Sequence, residues 1–260
     1  MNTDIKIIKK SLRKKYLFVL CPPYNGSTVL YKILDSSPNV STFLGTIYKV
    51  VEKNNGINKE YYEYLIPRGE GHCLLIDNKI NDYEKKRHKF GYKIPLKEMK
   101  ELYDRYWDLN KKILCDKSPP YVHYAKEIEE YFSQFGDVYF ICMIRNPYSC
   151  KWIRESPWPR FAKLQQYNIT HLKNVCYFRY EDLVTHPEKV KKQLLDFLPE
   201  LQDIDMNTSS HKGLNKEAKR NKELTTDYRD RITHQEEKNV FLEQCPNELD
   251  FFGYPFMHTC

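Results

Sequence analysis

Residues 16–34 read YLFVLCPPYNGSTVLYKIL, and the fold turns on how this stretch is parsed. Tyr16-Leu17-Phe18-Val19-Leu20-Cys21 has no polar face, the pattern of a strand buried on both sides of a parallel sheet. Pro22 and Pro23 stop it. Asn25-Gly26-Ser27-Thr28 then gives a flexible turn with two hydroxyls, after which Val29, Leu30, Ile33 and Leu34 recur at helical spacing. Strand, glycine-bearing turn and helix start together aim free backbone N–H groups and the positive end of a helix dipole at an anion. The same residues also suit an ordinary capped helix. The loop is not a Walker A motif, because neither its first glycine nor its lysine is present.

The alternation recurs downstream. Ile113-Leu114-Cys115 is a short apolar strand running into Asp116-Lys117-Ser118-Pro119-Pro120, followed by a helix with Val122, Ala125, Ile128 and Phe132 on one face. Val138–Ile144 is the strongest strand pattern in the chain and ends in Arg145-Asn146-Pro147. Asn174–Phe178 is a further strand leading into Arg179-Tyr180-Glu181-Asp182-Leu183, and Pro187 opens a helix to Leu198. Strands alternating with helices imply parallel βαβ units, hence a three-layer α/β/α sandwich around a mainly parallel sheet. Ligands of such sheets bind outside the carboxyl ends of the strands, where all four turns point. Residues 1–15 read as a basic arm and 16–260 as a single domain, with 40–112, rich in Tyr, Asn and Lys, as an acceptor-side insertion.

A chain of 260 residues with 41% hydrophobic and 30% charged residues suits one α/β domain with a full core. Its net charge of +7 implies acidic partners: a nucleotide, a sulfated or phosphorylated compound, or nucleic acid. No RRM, KH or helix-turn-helix signature accompanies the charge, so no nucleic-acid partner is expected. The basic start followed by apolar residues resembles a signal peptide, but the apolar run is too short and ends in Pro-Pro. No stretch reaches the length of a membrane span. Cys21, Cys115, Cys142 and Cys176 lie in apolar runs and no C-x-x-C pair occurs, so buried free thiols in a reducing, cytoplasmic setting are expected.

Four segments together carry a resemblance. Pro23-x-x-Gly26-Ser27-Thr28, Asp116-Lys117-Ser118-Pro119, Ile144-Arg145-Asn146-Pro147 and Tyr180-Glu181-Asp182-Leu183 resemble, in order and spacing, the sulfotransferase family, and the closing Phe252-Gly253-Tyr254 resembles its bacterial-type members. The resemblance implies a P-loop NTPase-like fold. It also implies transfer of a sulfuryl group from 3′-phosphoadenosine 5′-phosphosulfate (PAPS), without a metal, to an acceptor hydroxyl or amine. The acceptor would be a glycan, small molecule or peptide, with 3′-phosphoadenosine 5′-phosphate (PAP) as product. Carried over, nucleotide binding falls on Tyr24, Asn25, Gly26, Ser27, Thr28, Arg145, Ser149 and Tyr180, with Arg145 on the 3′-phosphate and Tyr180 near the adenine. His211-Lys212-Gly213 resembles the basic loop that closes over the nucleotide, and Lys117 a family lysine near the transferring sulfate.

The chain also departs from the family. A Lys or Arg that usually touches the phosphosulfate is replaced by Tyr24, and a common serine by Ile153, with Ser149 or Lys151 as substitutes. A glutamate that serves some members as base is replaced by Phe43-Leu44-Gly45, so Glu63, Glu70, His72 and His88 become the candidates for the general base. Three readings compete with an active sulfotransferase. One is a catalytically weak or inactive nucleotide- or acidic-ligand-binding protein of the same fold. A P-loop kinase lacks the Walker lysine and a Mg²⁺-holding strand end. A nucleic-acid or acidic-glycan binding protein would use the basic clusters at both ends and the interleaved tyrosines, without a recognised binding signature.

Overall fold

A computed structural model describes residues 13–44, 69–80, 93–150, 158–207 and 235–257. Expectations placed on residues 1–12 of the N-terminal arm, Gly45, Glu63, His88, Lys151, Ile153 and His211-Lys212-Gly213 lie outside these residues, while Lys14 and Lys15 of the expected arm belong to the first strand.

The chain enters through strand β1 (Lys14–Leu20), continues into helix α1 (Ser27–Asp35) and adds the two-residue strand β2 (Val40–Ser41). Helices α2 (His72–Asp77) and α3 (Leu96–Tyr103) precede β3 (Ile113–Lys117), and a 3₁₀ turn (Pro119–His123) leads to α4 (Ala125–Phe132). Then come β4 (Gly136–Ile144), α5 (Trp158–His171), β5 (Val175–Arg179), α6 (Tyr180–Thr185) and α7 (Pro187–Phe197). Helices α8 (Gln235–Leu242) and α9 (Pro246–Phe252) follow. No helix among the described residues is long and apolar enough to cross a membrane.

The strands form one sheet in the order β2-β3-β1-β4-β5, with every pairing parallel. Register explains why the strand ends meet: Val19 pairs with Lys117, Leu20 with Cys142, and Ile144 with Arg179. The exits of β1, β3, β4 and β5 therefore lie along one edge.

Side-chain alternation along β1 divides the core in two. Tyr16, Phe18 and Leu20 pack with Phe132 and Ile128 of α4, Phe161 of α5 and Tyr103 of α3 on one face. Leu17, Val19 and Cys21 pack with Leu30 and Leu34 of α1 and Val190 and Leu194 of α7 on the other. Leu17, Phe18, Val19 and Leu20 are all fully buried, which is why the sequence of β1 shows no polar face. A third cluster, with Tyr148, Trp158, Leu242, Phe252 and Tyr254, packs the C-terminal helices against the exit of β4. The seven described cysteines are buried and form no disulfide with one another.

Candidate active site

The turn after β1 is shaped by Gly26, whose φ of 91° is left-handed and favours glycine. Space demands glycine as well, since a Cβ there would lie 2.2 Å from Cδ2 of Tyr180. Helix α1 starts immediately after, with the Val29 amide donating to the Gly26 carbonyl at 3.0 Å and no side-chain cap at its N-terminus. Its first-turn N–H groups thus face the rim. Tyr24 also has positive φ, at 62°, and its side chain is half exposed.

Asn25 is buried and acts as a strap. Its Oδ1 accepts from the Arg145 amide at 2.7 Å and its Nδ2 donates to the Pro23 carbonyl at 2.8 Å. The turns after β1 and β4 are thereby locked together. Buried Gln165 of α5 adds a second lock below them, donating to the carbonyls of Leu20 (2.7 Å) and Met143 (3.1 Å).

The Arg145 guanidinium lies over the Tyr180 ring, 4.6 Å from its centroid, and Nε donates to Ser149 Oγ at 3.2 Å. Tyr180 is itself buried, wedged between Gly26 and Arg145, so it supports the cation's aim as well as packing in the core. The Trp158 indole donates to the Arg145 carbonyl at 2.8 Å.

Behind this arginine stands Glu181. Its Oε1 accepts from the Asn146 amide at 3.0 Å and its Oε2 from the Tyr254 hydroxyl at 2.8 Å. Burial pushes its carboxyl up, opposed by those hydrogen bonds and by the Arg145 charge. Arg179 pairs with Asp182 through two bonds of 3.0 and 3.1 Å and donates to the Gly253 carbonyl at 3.3 Å. The C-terminal Phe-Gly-Tyr is thus a brace for the turns after β4 and β5.

Lys117, at the exit of β3, is completely buried and ion-paired, with Nζ 2.8 Å from Glu70 Oε1. Glu70 Oε2 lies 3.7 Å from His72 Nδ1, a charge contact when the imidazole is protonated. His72 Nε2 lies 3.8 Å from the Cys73 thiol. Burial pushes the neighbouring Cys21 thiol up to about 12, against the pull of the Lys117 charge. The pairing of Val19 with Lys117 places the Lys117–Glu70 pair beside the exit of β1.

Ligand atoms of Glu70, His72 and Cys73 fall within 4.8 Å of one another, a donor set that suits a metal. Two observations disfavour it here. Lys117 already neutralises Glu70, and Glu70 and Cys73 approach opposite nitrogens of the imidazole.

Over residues 17–203 the sequence matches the sulfotransferase family. The chain belongs to that family. The sulfotransferase is similar in structure to the sulfotransferase domain from the curacin biosynthetic pathway, at 16% identity and a TM-score of 0.53, with 94% of this chain and 99% of that chain covered. It is also similar to a sulfotransferase from Alicyclobacillus acidocaldarius, at 13% identity and a TM-score of 0.44, covering 92% and 96% of the two chains. A third similar structure is the sulfotransferase domain from the Synechococcus PCC 7002 olefin synthase, at 19% identity and 0.42, covering 79% and 83%. Only the first likeness is close enough to bear on the fold, and it agrees with the parallel α/β architecture above. No curated protein matches the sequence.

Among the described candidates, the structure of the sulfotransferase brings Asn25, Gly26, Arg145, Ser149 and Tyr180 together on one side of the rim. It sets Lys117 with Glu70 and His72 on the other. Ser27 and Thr28 open α1 between them. Sequence reasoning missed Gln165, and it gave no role to Glu181 and Tyr254, which lie in segments that carry the resemblance but bind partners far along the chain.

Proposed function

We propose that this sulfotransferase takes PAPS as donor and passes its sulfuryl group to an acceptor hydroxyl or amine, with a carbohydrate as one candidate acceptor. The observation that supports this most is the Arg145 guanidinium held over Tyr180 against the Gly26 turn. A rigid fork of donors there suits the 3′-phosphate, while the amides from Gly26 to Thr28 suit the 5′-phosphosulfate.

The reaction is an in-line displacement at sulfur. The acceptor oxygen or nitrogen bonds to sulfur as the bond from sulfur to the bridging phosphate oxygen breaks, and PAP leaves. Lys117 and the turn amides neutralise the charge that builds on the bridging oxygen, an effect worth about 10² to 10³ in rate for a single donor. Glu70 is engaged by Lys117, so the His72 imidazole is the group of this cluster suited to take the acceptor's proton. Glu70 Oε2, 3.7 Å from the ring, stabilises the imidazolium that results.

A second reading, a nucleotide-binding protein with weak turnover, is favoured by Tyr24, where the family usually carries a cation. Transfer of labelled sulfate from PAPS to a panel of glycans, peptides and small alcohols decides between them. Labelled product supports the enzyme. PAP binding without labelled product from any acceptor supports the second reading.

A further inference from the structure

Helix α2 carries His72 and begins just after Glu70, yet it has no side-chain cap from its own segment. Its leading N–H groups are satisfied from elsewhere. The Gly71 amide donates to Asp116 Oδ1 at 2.9 Å and the His72 amide to Ser118 Oγ at 3.1 Å. Asp116 is completely buried, and its Oδ2 accepts from the Tyr103 hydroxyl and from Ser118 Oγ, each at 3.1 Å. The Tyr103 and Tyr121 hydroxyls are also bonded to each other.

Gly71 fits this grip closely. A Cβ at that position would lie 2.5 Å from Asp116 Oδ2, 2.5 Å from the Tyr103 hydroxyl and 2.6 Å from Phe43 Cε2. Asp116 and Lys117 are successive residues of β3 and leave the strand on opposite faces. Asp116 reaches the tyrosines of one core and Lys117 approaches the Tyr31 ring of the other. Residues 70–72 lie across the strand's end and are held from both sides.

From this geometry we infer that Asp116 is a positioning residue. Its carboxylate fixes the Gly71 backbone and thereby sets Glu70 and His72 against Lys117. This rests on the sulfotransferase mechanism above for its consequence, but the tether itself can be tested without catalysis. Cys73 follows His72 and is buried, so its alkylation by N-ethylmaleimide reports release of the segment.

In the full-length Asp116→Ala variant, Cys73 alkylation, followed by peptide mass spectrometry, should accelerate about tenfold or more, because a buried donor has lost its acceptor. PAP affinity, which depends on the opposite side of the rim, should stay within about threefold of wild type. Asp116→Asn keeps an oxygen for the Gly71 amide and should restore protection of Cys73. Ser118→Ala, a milder lesion, should give a smaller acceleration and serves if Asp116→Ala does not fold. Protection of Cys73 unchanged in the folded variants, or failure of Asp116→Asn to restore it, overturns the inference. An absence of PAP binding in the wild type, with the Cys73 results as expected, would refute the nucleotide reading and leave the tether standing.

Discussion

Lys117 and Glu70 are 47 positions apart in sequence, yet Nζ and Oε1 lie 2.8 Å apart in a buried ion pair. Their partnership makes the lysine's role testable only if the glutamate is considered with it. Removing one member of a buried pair leaves the other charge uncompensated, at a cost of about 3–5 kcal/mol.

Lys117→Met alone should therefore lower both the unfolding temperature and turnover. Lys117→Met combined with Glu70→Gln should recover much of the stability but none of the turnover, which should stay about 10² to 10³ below wild type. Thermal unfolding and sulfate-transfer rates measured side by side separate the two effects. Full turnover in the double variant would remove Lys117 from the mechanism.

Arg145 and Tyr180 form a second testable pair. Tyr180→Leu should weaken PAP binding by removing the ring beneath the guanidinium, a contact worth about 0.5–2 kcal/mol, and Tyr180→Phe should largely preserve it. Titration calorimetry with PAP distinguishes these outcomes. Equal losses in the two variants would show that the hydroxyl, and not the ring face, matters.

At Gly26, both the left-handed backbone and the Tyr180 ring exclude a side chain. Gly26→Ala should cost about 1–3 kcal/mol in strain and displace Tyr180, so that PAP affinity falls more than tenfold. Calorimetry and thermal unfolding together check this, and unaltered affinity would mean that the turn is not part of the nucleotide site.

Asp116 gives the pH prediction. Burial raises its carboxyl from 3.8 to about 6 in the folded state, against hydrogen bonds from Gly71, Tyr121, Tyr103 and Ser118 that favour the ionised form. Between those values the folded chain keeps a proton that the unfolded chain has released. The group's contribution to stability is thus fully present below about pH 4 and is lost as pH rises to about 6, by up to roughly 3 kcal/mol. Asp116→Asn does not titrate, so its stability relative to wild type should climb across that window and level off above it. Denaturant unfolding at a series of pH values measures the difference, and a flat difference would show that Asp116 titrates normally.

Much of this architecture is legible in the sequence because its signals are local. An apolar β1 closed by Pro-Pro, a glycine turn and an apolar helix lie within residues 16–34, and Arg145 directly follows the strongest strand. The Lys117 side of the rim is less legible. Glu70 and His72 are ordinary-looking residues whose meaning comes from contact with Lys117, and the parse of the sequence gives no reason to pair them. Strand β2 is two residues long, too short for any periodic signal, and α5 follows a proline-rich stretch with no strong amphipathic pattern. Gln165 on that helix joins the exits of β1 and β4 through backbone carbonyls, which no side-chain pattern announces. The Tyr254–Glu181 brace likewise spans 73 positions.

On the proposed function, the rim between Gly26 and Arg145 recognises an adenosine bearing phosphate at both the 3′ and 5′ positions. Titration calorimetry of the wild-type chain with PAP and with 5′-AMP, which differ only in the 3′-phosphate, tests it most directly. PAP should bind at least about tenfold tighter, the worth of one charge-assisted arginine contact, and Arg145→Ala should erase the difference. Equal affinity for the two nucleotides in the wild type would contradict it.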